Sequence, residues 1–404
     1  MAVAHAAWPH SPSREHLDWP FFGPEHRALA AQLDAFINSG GLGAIDHADV
    51  DSSCKALVKR LGDAGLLRHC VPRAFDGASE AIDSRALCVT RETLAYSDSL
   101  ADFAFAMQGL GSGAISLAAS DELRRRVLPK VAQGALIPAF ALTEPKAGSD
   151  VAAVASSARR EGEEFVLDGE KIFISNAGIA DVYTVFARTG EAPGTRGISA
   201  FVVFADTPGF SVVEKIETMA PHPLGRIRFE NCRIPAGNLV GSPGEGFKIA
   251  MRTLDIFRPS VAAAANGFAR RALDEAIAHT QTRQLFGSAL GDLPTVQSRL
   301  GEMATAIDAA VLLTARTGWL RDVQKQPTTQ AAAMAKMTAT ENAQWVIDQA
   351  LQMFGGRGVC AGQITERLYR EIRALRIYEG ATEVQKLIIG RELMKSPKIS
   401  QARG

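Results

Sequence analysis

Two short stretches carry residue types whose placement could serve chemistry. In RIYEGATEVQ (residues 376–385), Tyr378-Glu379-Gly380 breaks a long helical pattern and helical sequence restarts at once. Thr382 and Gln385 have the spacing of an N-cap and its reciprocal partner in a capping box. The Glu379 carboxylate is thereby left at the mouth of a break between helices, where neither packing nor capping asks for a charge. In FALTEPKAGSD (residues 140–150), Gly148, Ser149 and the backbone amides around them could hold a phosphate or the polar edge of a ring, with no bulky side chain in the way. Thr143 can give and accept hydrogen bonds. Taken alone, such a segment is more often an ordinary inter-domain loop.

Other glycine-rich runs do not carry a site. GLGSGA (109–114) follows a helical pattern rather than a strand and lacks the full G-x-G-x-x-G, so it predicts close helix packing or a helix break. GSPGEGFK (241–248) has no Ser or Thr after its lysine, and the lysine is not adjacent to the last glycine, so it reads as a loop capping the next helix. No Gly-x-Ser-x-Gly elbow is present, which removes a large class of hydrolases.

The elements that must position these residues follow from length and composition. The chain has 404 residues, enough for two or three domains. Hydrophobic residues make up 47% and charged residues 22%, the profile of a soluble globular protein. The 44 basic and 44 acidic side chains cancel, so nucleic acid and anionic membrane are not expected partners. Cys54, Cys70, Cys88, Cys232 and Cys360 have no ligand spacing and read as reduced thiols, and the eight histidines form no HExxH cluster. No metal site is expected. The N-terminus lacks a basic-then-apolar signal pattern and no apolar run reaches membrane-spanning length, so the expected location is the cytoplasm.

Proline and glycine divide the chain more clearly than charge does. A tail over 1–20 precedes a mostly helical stretch, 21–135, with apolar residues at three- and four-residue spacing. Eight of the 18 prolines fall within 136–246, where alternating and β-branched runs predict a small antiparallel β domain. There EFVLDGEKIFIS predicts a hairpin about a tight Asp168-Gly169 turn. GISAFVVFADTPGFSVVEK predicts a second hairpin around residues 206–209, and Ile227 and Phe229 alternate with charged neighbours as a half-buried strand would. From 247 to 404 the text is long helices, one of them stopping at Gly355-Gly356. The fold class is α+β: an N-terminal helical domain, a middle antiparallel β domain and a C-terminal four-helix bundle.

Read in order, FALTEPKAGSD, KIFISNAG, RQLFG, QMFGGRG and YEGATEVQ closely resemble the acyl-CoA dehydrogenase family of flavoproteins, from about residue 22 to residue 394. The resemblance implies FAD. The segment from Phe140 to Ser149 would touch the isoalloxazine ring and pyrophosphate, with Leu142 and Thr143 near the ring's polar edge and Gly148 beside them. Phe173, Ile174 and Ser175 stand where the family usually has Trp-Ile-Thr, a mild change that keeps a ring and a hydroxyl. Arg283, Gln284, Leu285 and Phe286 match a segment that reaches the adenosine-diphosphate half of FAD in a neighbouring subunit, a task suited to the arginine fork. Gln352, Gly355 and Gly356 match a segment approaching the same cofactor, and Ala381, Thr382 and Glu383 complete the implied cofactor set. A complete site then needs a homo-oligomer, a tetramer or at least a dimer.

The resemblance also gives Glu379 a task. It matches the catalytic base that removes the α-proton of an acyl-CoA thioester, while hydride passes from the β-carbon to flavin N5 and the trans-2-enoyl-CoA forms. Such a base needs a dry site that raises its pKa, and its own backbone N–H would help hold the developing oxyanion. Phe257 occupies the position where some relatives carry the base and cannot serve. Ser149, Asp255, Arg258 and Gly380 are implied substrate contacts, with a salt bridge at a helix N-terminus an equal reading for Arg258. An electron-transfer flavoprotein is the implied electron acceptor. The segment at 217–232 is slightly shorter than in better-known relatives and places two prolines and His222 near the implied CoA entrance. Alternatives stand beside this reading: a flavin oxidase or monooxygenase on the same fold, an enzyme acting on a carrier-protein-bound acyl group, and a catalytically silent flavoprotein.

Overall fold

The structure is a computed structural model that describes residues 12–395. Residues 1–11 of the expected tail, and residues 396–404 of the C-terminal region, lie outside the described residues. The chain divides into two compact units. One comprises the described parts of Met1–Ser39, Ser84–Ser99 and Arg258–Gly404, and the other Gly40–Asp83 and Leu100–Phe257. Among the described residues no helix is long and apolar enough to cross a membrane.

In chain order the first helices are α1 (Pro24–Asn38), α2 (Val50–Asp63), α3 (Ser84–Ser97), α4 (Ser99–Ala118) and α5 (Asp121–Ala132). The strands that follow are β1 (Pro138–Ala141), β2 (Ser157–Glu161), β3 (Glu164–Ser175), β4 (Val182–Arg188), β5 (Ile198–Phe204), β6 (Phe210–Lys215), β7 (Leu224–Pro235) and β8 (Leu239–Val240). Helix α6 (Gly246–Thr282) leads into a small hairpin of β9 (Gln284–Leu285) and β10 (Ser288–Ala289). The chain then runs through α7 (Pro294–Asp322), α8 (Thr329–Phe354), α9 (Ile364–Leu375) and α10 (Thr382–Lys395).

The second unit is built on the sheet, in the order β6-β7-β3-β2-β4-β5-β8, with β1 added beside β4. Pairings are antiparallel except β1 with β4 and a short parallel register of β2 with β4. Ile227 and Phe229 are buried on β7, as their alternation predicts. Both hairpin expectations need correction. Asp168 and Gly169 lie inside β3, at a bulge against β7, and the β2–β3 turn falls at Gly162-Glu163 instead. Gly162, at φ +61, supplies the left-handed backbone that a tight turn needs. The Asp168 carboxylate accepts from the Asn231 N–H at 2.7 Å, which serves the bulge rather than a turn. The run after β5 does not fold back on it either, because β6 pairs with β7 at the other end of the sheet.

Packing explains the glycines of GLGSGA, all on α4. A Cβ on Gly109 or Gly113 would press into the Phe257 ring, and one on Gly111 would lie 2.7 Å from the Pro138 carbonyl carbon. The expected close approach is therefore what the run is for.

The first unit is a helical assembly around an alanine-rich core. Ala262, Ala265, Ala269, Ala272 and Ala276 on α6 share one cluster with Ala335, Ala339, Ala343 and Ala350 on α8. Spacings of three and four residues put each set on one helix face. Met303, Ile307, Phe268, Leu368, Ile372 and Leu375 fill the remaining volume. Helices approach closely where side chains vanish: a Cβ on Gly267 of α6 would stand 2.3 Å from the Glu92 carbonyl oxygen of α3. α8 stops at Gly355, whose φ of +59 turns the chain away, as the paired glycines predict.

Candidate functional site

The helix break at Glu379 is built by side chains that hold its backbone. Glu379 has φ +52 and Gly380 φ +95, two successive positive values. A non-glycine residue there is strained at a cost of about 1–3 kcal/mol, so the surroundings must over-determine it. They do: the Glu379 carbonyl accepts from Arg258 Nε and Gln385 Nε2, both at 3.3 Å. The Gly380 carbonyl accepts from Gln385 Nε2 and from Lys336 Nζ, both at 2.8 Å. In a trans peptide the next N–H points opposite the carbonyl, so these bonds also fix where the loop's amides are aimed. A side chain on Gly380 would collide with Gln385 Nε2 at 2.4 Å.

The expected capping box does not form. α10 begins at Thr382, its hydroxyl donates to Glu341 Oε1 at 2.6 Å, and the Gln385 N–H bonds the Ala381 carbonyl at 3.0 Å. Glu341 also takes Arg376, at 2.8 Å. Burial alone would raise the Glu341 pKa, but Thr382 and Arg376 outweigh it and hold the carboxyl below its ordinary value. Thr382 and Gln385 thus brace the loop tertiarily instead of capping the helix. Glu383 is exposed and Ala381 half-buried. Arg258 is buried, and its Nε donates to the Glu379 carbonyl.

A second group of residues meets in a cleft of about 960 Å³ in the same unit. Arg283, Gln284, Leu285, Gln352, Gly355 and Gly356 all line it, so two segments far apart in sequence meet at one cleft. Nothing would obstruct a Cβ at Gly355 or Gly356, so the space over that backbone is open to a ligand. Three arginines, Arg283, Arg299 and Arg357, make the wall cationic, and its donor chemistry fits the diphosphate of FAD. Phe286 is not on this wall: it stands 90% exposed at the tip of the β9–β10 hairpin, with φ +54.

In the other unit, residues 142–150 form a loop fastened from behind. The Lys171 ammonium, fully buried, donates to Glu144 Oε1 at 2.7 Å and to the Leu142 carbonyl at 3.3 Å. Glu144 accepts as well from the N–H groups of Ala155 at 2.7 Å and Ser156 at 2.9 Å. Burial opposes the Glu144 charge, but Lys171 and these donors outweigh it, and its pKa falls below the ordinary value. On Lys171 burial is the larger effect and brings its pKa down to about 8. The Ile172 N–H bonds the Thr143 carbonyl at 3.0 Å, tying this loop to β3. Phe140 lies in β1, its ring 4.9 Å from that of Phe186. Gly148 and Ser149 are exposed, and a Cβ at Gly148 would meet nothing. Phe173 is 57% exposed at φ +56, a large apolar ring held open to solvent on strained backbone. That exposed ring beside an open glycine loop suits a flat aromatic ligand such as a flavin. Ile174 is buried and offers only its backbone, while Ser175 is half-buried.

Also in this unit, Asp255 is half-buried on α6. His222 packs its ring 4.7 Å from Phe103 and sets Nδ1 3.0 Å from the Ala220 carbonyl, which can only accept. Burial lowers the His222 pKa.

Sequence reasoning missed Lys336, Lys171 and Glu144, together with His279, Arg299 and Arg357 in the cleft. The usable signal for Lys336 was its register: it falls on the buried face of α8 with Ala332 and Thr340, where a lysine has no packing reason to be. Among the described residues, no group of three or more His, Cys, Asp or Glu could hold a metal ion.

Comparison with known proteins matches this chain to three family models. They are described as acyl-CoA dehydrogenase N-terminal domain (residues 23–135), middle domain (139–232) and C-terminal domain (244–394). A mouse mitochondrial short-chain specific acyl-CoA dehydrogenase is 38% identical over 344 residues, covering 84% of this chain and 83% of that protein. Butyryl-CoA dehydrogenase from Megasphaera elsdenii superposes with a TM-score of 0.85 at 29% identity, over 92% of this chain and 99% of its own. A Mycobacterium smegmatis glutaryl-CoA dehydrogenase in complex with FADH2 superposes with a TM-score of 0.84 at 26% identity, over 96% of this chain and 99% of its own.

Proposed function

Because this chain belongs to the acyl-CoA dehydrogenase family, we propose that Glu379 is the base that takes the α-proton of an acyl-CoA thioester, giving the trans-2-enoyl-CoA. The protein is a flavoprotein oxidoreductase with FAD as cofactor. Bound FAD supplies the hydride acceptor. The chain supplies the rest: a base on a rigid loop, backbone donors for the thioester oxygen, and two separate cradles for the cofactor.

The observation that carries this reading is the clamped backbone at Glu379. Strained residues persist where the surroundings hold them, and here Arg258, Lys336 and Gln385 all bond the carbonyls of Glu379 and Gly380. A solvated helix-end carboxylate would need none of this. These bonds fix the two peptides that follow Glu379 and so hold the loop rigid, and the Glu379 N–H is the donor for charge that develops on the thioester oxygen. Arg258 steadies the loop through the Glu379 carbonyl, beside the substrate contact that the resemblance implies for it.

The substrate is a short-chain acyl-CoA, the class named for the mouse and Megasphaera proteins. The arginine-lined cleft takes the adenosine-diphosphate half of an FAD bound mainly by a second copy of the chain, in a tetramer or dimer. Electrons leave to an electron-transfer flavoprotein. Phe140, Leu142, Thr143, Gly148, Ser149, Phe173 and Ser175 receive the flavin side.

Anaerobic titration of the FAD-loaded protein with acyl-CoAs of graded chain length tests this. Bleaching of the flavin by short chains, slowed at least ~10³-fold in Glu379→Gln with FAD retained, is the expected result. Undiminished bleaching in that variant would remove Glu379 from the role of base.

A further inference from the structure

Lys336 is buried beneath the Glu379 loop, and hydrogen bonding alone gives its charge no task. Its side chain is fully buried on α8 and ends on the Gly380 carbonyl, which Gln385 already serves at the same 2.8 Å. A neutral donor would therefore satisfy that oxygen, and a buried ammonium is a costly way to do it. Around it stand Glu379, Arg258, Glu341 and Glu383, so its charge is felt by the carboxylate of the base. Of these carboxylates, Glu379 is the one that most favours the charged form of Lys336.

We infer that Lys336 is a positioning residue with two effects on the same loop: it pins the Gly380 peptide, and its positive charge holds down the proton affinity of Glu379. The inference rests on Glu379 being the base. The geometry places the two effects in one group. Pinning the Gly380 carbonyl aims the Ala381 N–H the opposite way and fixes the peptide after the strained residue. The charge offsets the tendency of a dry site to keep a carboxyl protonated, so the base is ionised when the thioester arrives. Burial brings Lys336 itself down to about 8, while Glu379 favours its charged form. Below that pH the ammonium is intact, and the effect on Glu379 is present across the neutral range.

The test compares Lys336→Met, Lys336→Gln and Lys336→Arg with wild type and Glu379→Gln in the full-length, FAD-loaded protein. Two quantities are read: the pH midpoint of anaerobic flavin reduction by butyryl-CoA, and hydrogen exchange across residues 376–386. Lys336→Met is expected to raise the midpoint by about one pH unit, through loss of one nearby opposite charge. It should also speed exchange in that segment about tenfold. Lys336→Gln should recover the exchange protection but not the midpoint, because it restores a donor without a charge. Lys336→Arg should bring the midpoint back toward wild type. An unchanged midpoint in Lys336→Met, with wild type reduced and Glu379→Gln inert, overturns the inference and leaves the base assignment standing. Equal midpoints in the Gln and Arg variants also overturn it, since charge would then be irrelevant. Reduction that persists in Glu379→Gln instead refutes the base and removes this inference with it. Should Lys336→Met fail to fold, the comparison of Gln with Arg decides the matter alone.

Discussion

The ammonium of Lys171 and the carboxylate of Glu144 meet at 2.7 Å, both withdrawn from water, and together they hold the loop that presents Thr143, Gly148 and Ser149. Removing one member of a buried pair strands the other, at about 3–5 kcal/mol. Glu144→Gln and Lys171→Met should each lower stability by that order and weaken FAD binding, and the double replacement should cost less than the two singles summed. Chemical denaturation with a double-mutant cycle measures the coupling, and strict additivity would refute it.

Gly111 and Gly148 predict opposite outcomes for the same substitution. A Cβ on Gly111 would meet backbone at Pro138 and Ala139, which cannot yield cheaply. Gly111→Ala should cost about 2 kcal/mol or more, by overpacking. Gly148 has open space, so Gly148→Ala should leave the melting temperature of the cofactor-free protein unchanged while reducing FAD affinity. Thermal melts beside FAD titrations separate the two, and a Gly148→Ala protein with wild-type affinity would place the cofactor elsewhere.

Phe173 carries its ring on backbone at φ +56. Phe173→Gly should relieve about 1 kcal/mol of strain in the cofactor-free protein and at the same time loosen FAD. A variant that gained stability and bound FAD as tightly as wild type would show that the exposed ring has no part in cofactor binding.

The N-terminal segment contributes a pH dependence. His16 is buried, and burial pushes its pKa below 6.5, against the opposing pull of Glu92. The unfolded chain therefore takes up this proton first as pH falls. The stabilisation is complete above about pH 6.5 and declines below it. Melting temperatures recorded from neutral to mildly acid pH should fall more steeply for wild type than for His16→Gln, and parallel slopes would exclude His16 as the cause.

The helical flanks and the β centre were legible because apolar spacing and proline density report them directly. Strand partners were not. Asp168-Gly169 and Gly162-Glu163 both offer turn chemistry within one run, and only the pairing of β3 with both β2 and β7 decides between them. β6 left its sequence neighbour for β7 for the same reason. At the site, motif order gathered the RQLFG and QMFGG segments into one cleft, and Glu379 was singled out by the helix break around it. The capping box failed because Thr382 found a better partner in Glu341, 41 residues away. Contacts at that separation leave no local trace. Lys336 could have been flagged from its register on an alanine face, but its target carbonyl could not.

The alanine core of the helical unit also shapes how this protein can vary. Where Ala265, Ala269, Ala335 and Ala339 sit at zero or near-zero exposure, substitution other than to glycine or serine adds volume to a filled space. Cavity-forming changes, the commonest injury to leucine-built cores, are largely closed to these positions. Damage there comes by wedging helices apart, so the helices that carry Lys336 and Arg258 can be displaced together by one added methyl group. Drift in this bundle is therefore expected to be asymmetric: free on the outer faces, nearly frozen on the inner ones, with catalytic geometry the first property to suffer.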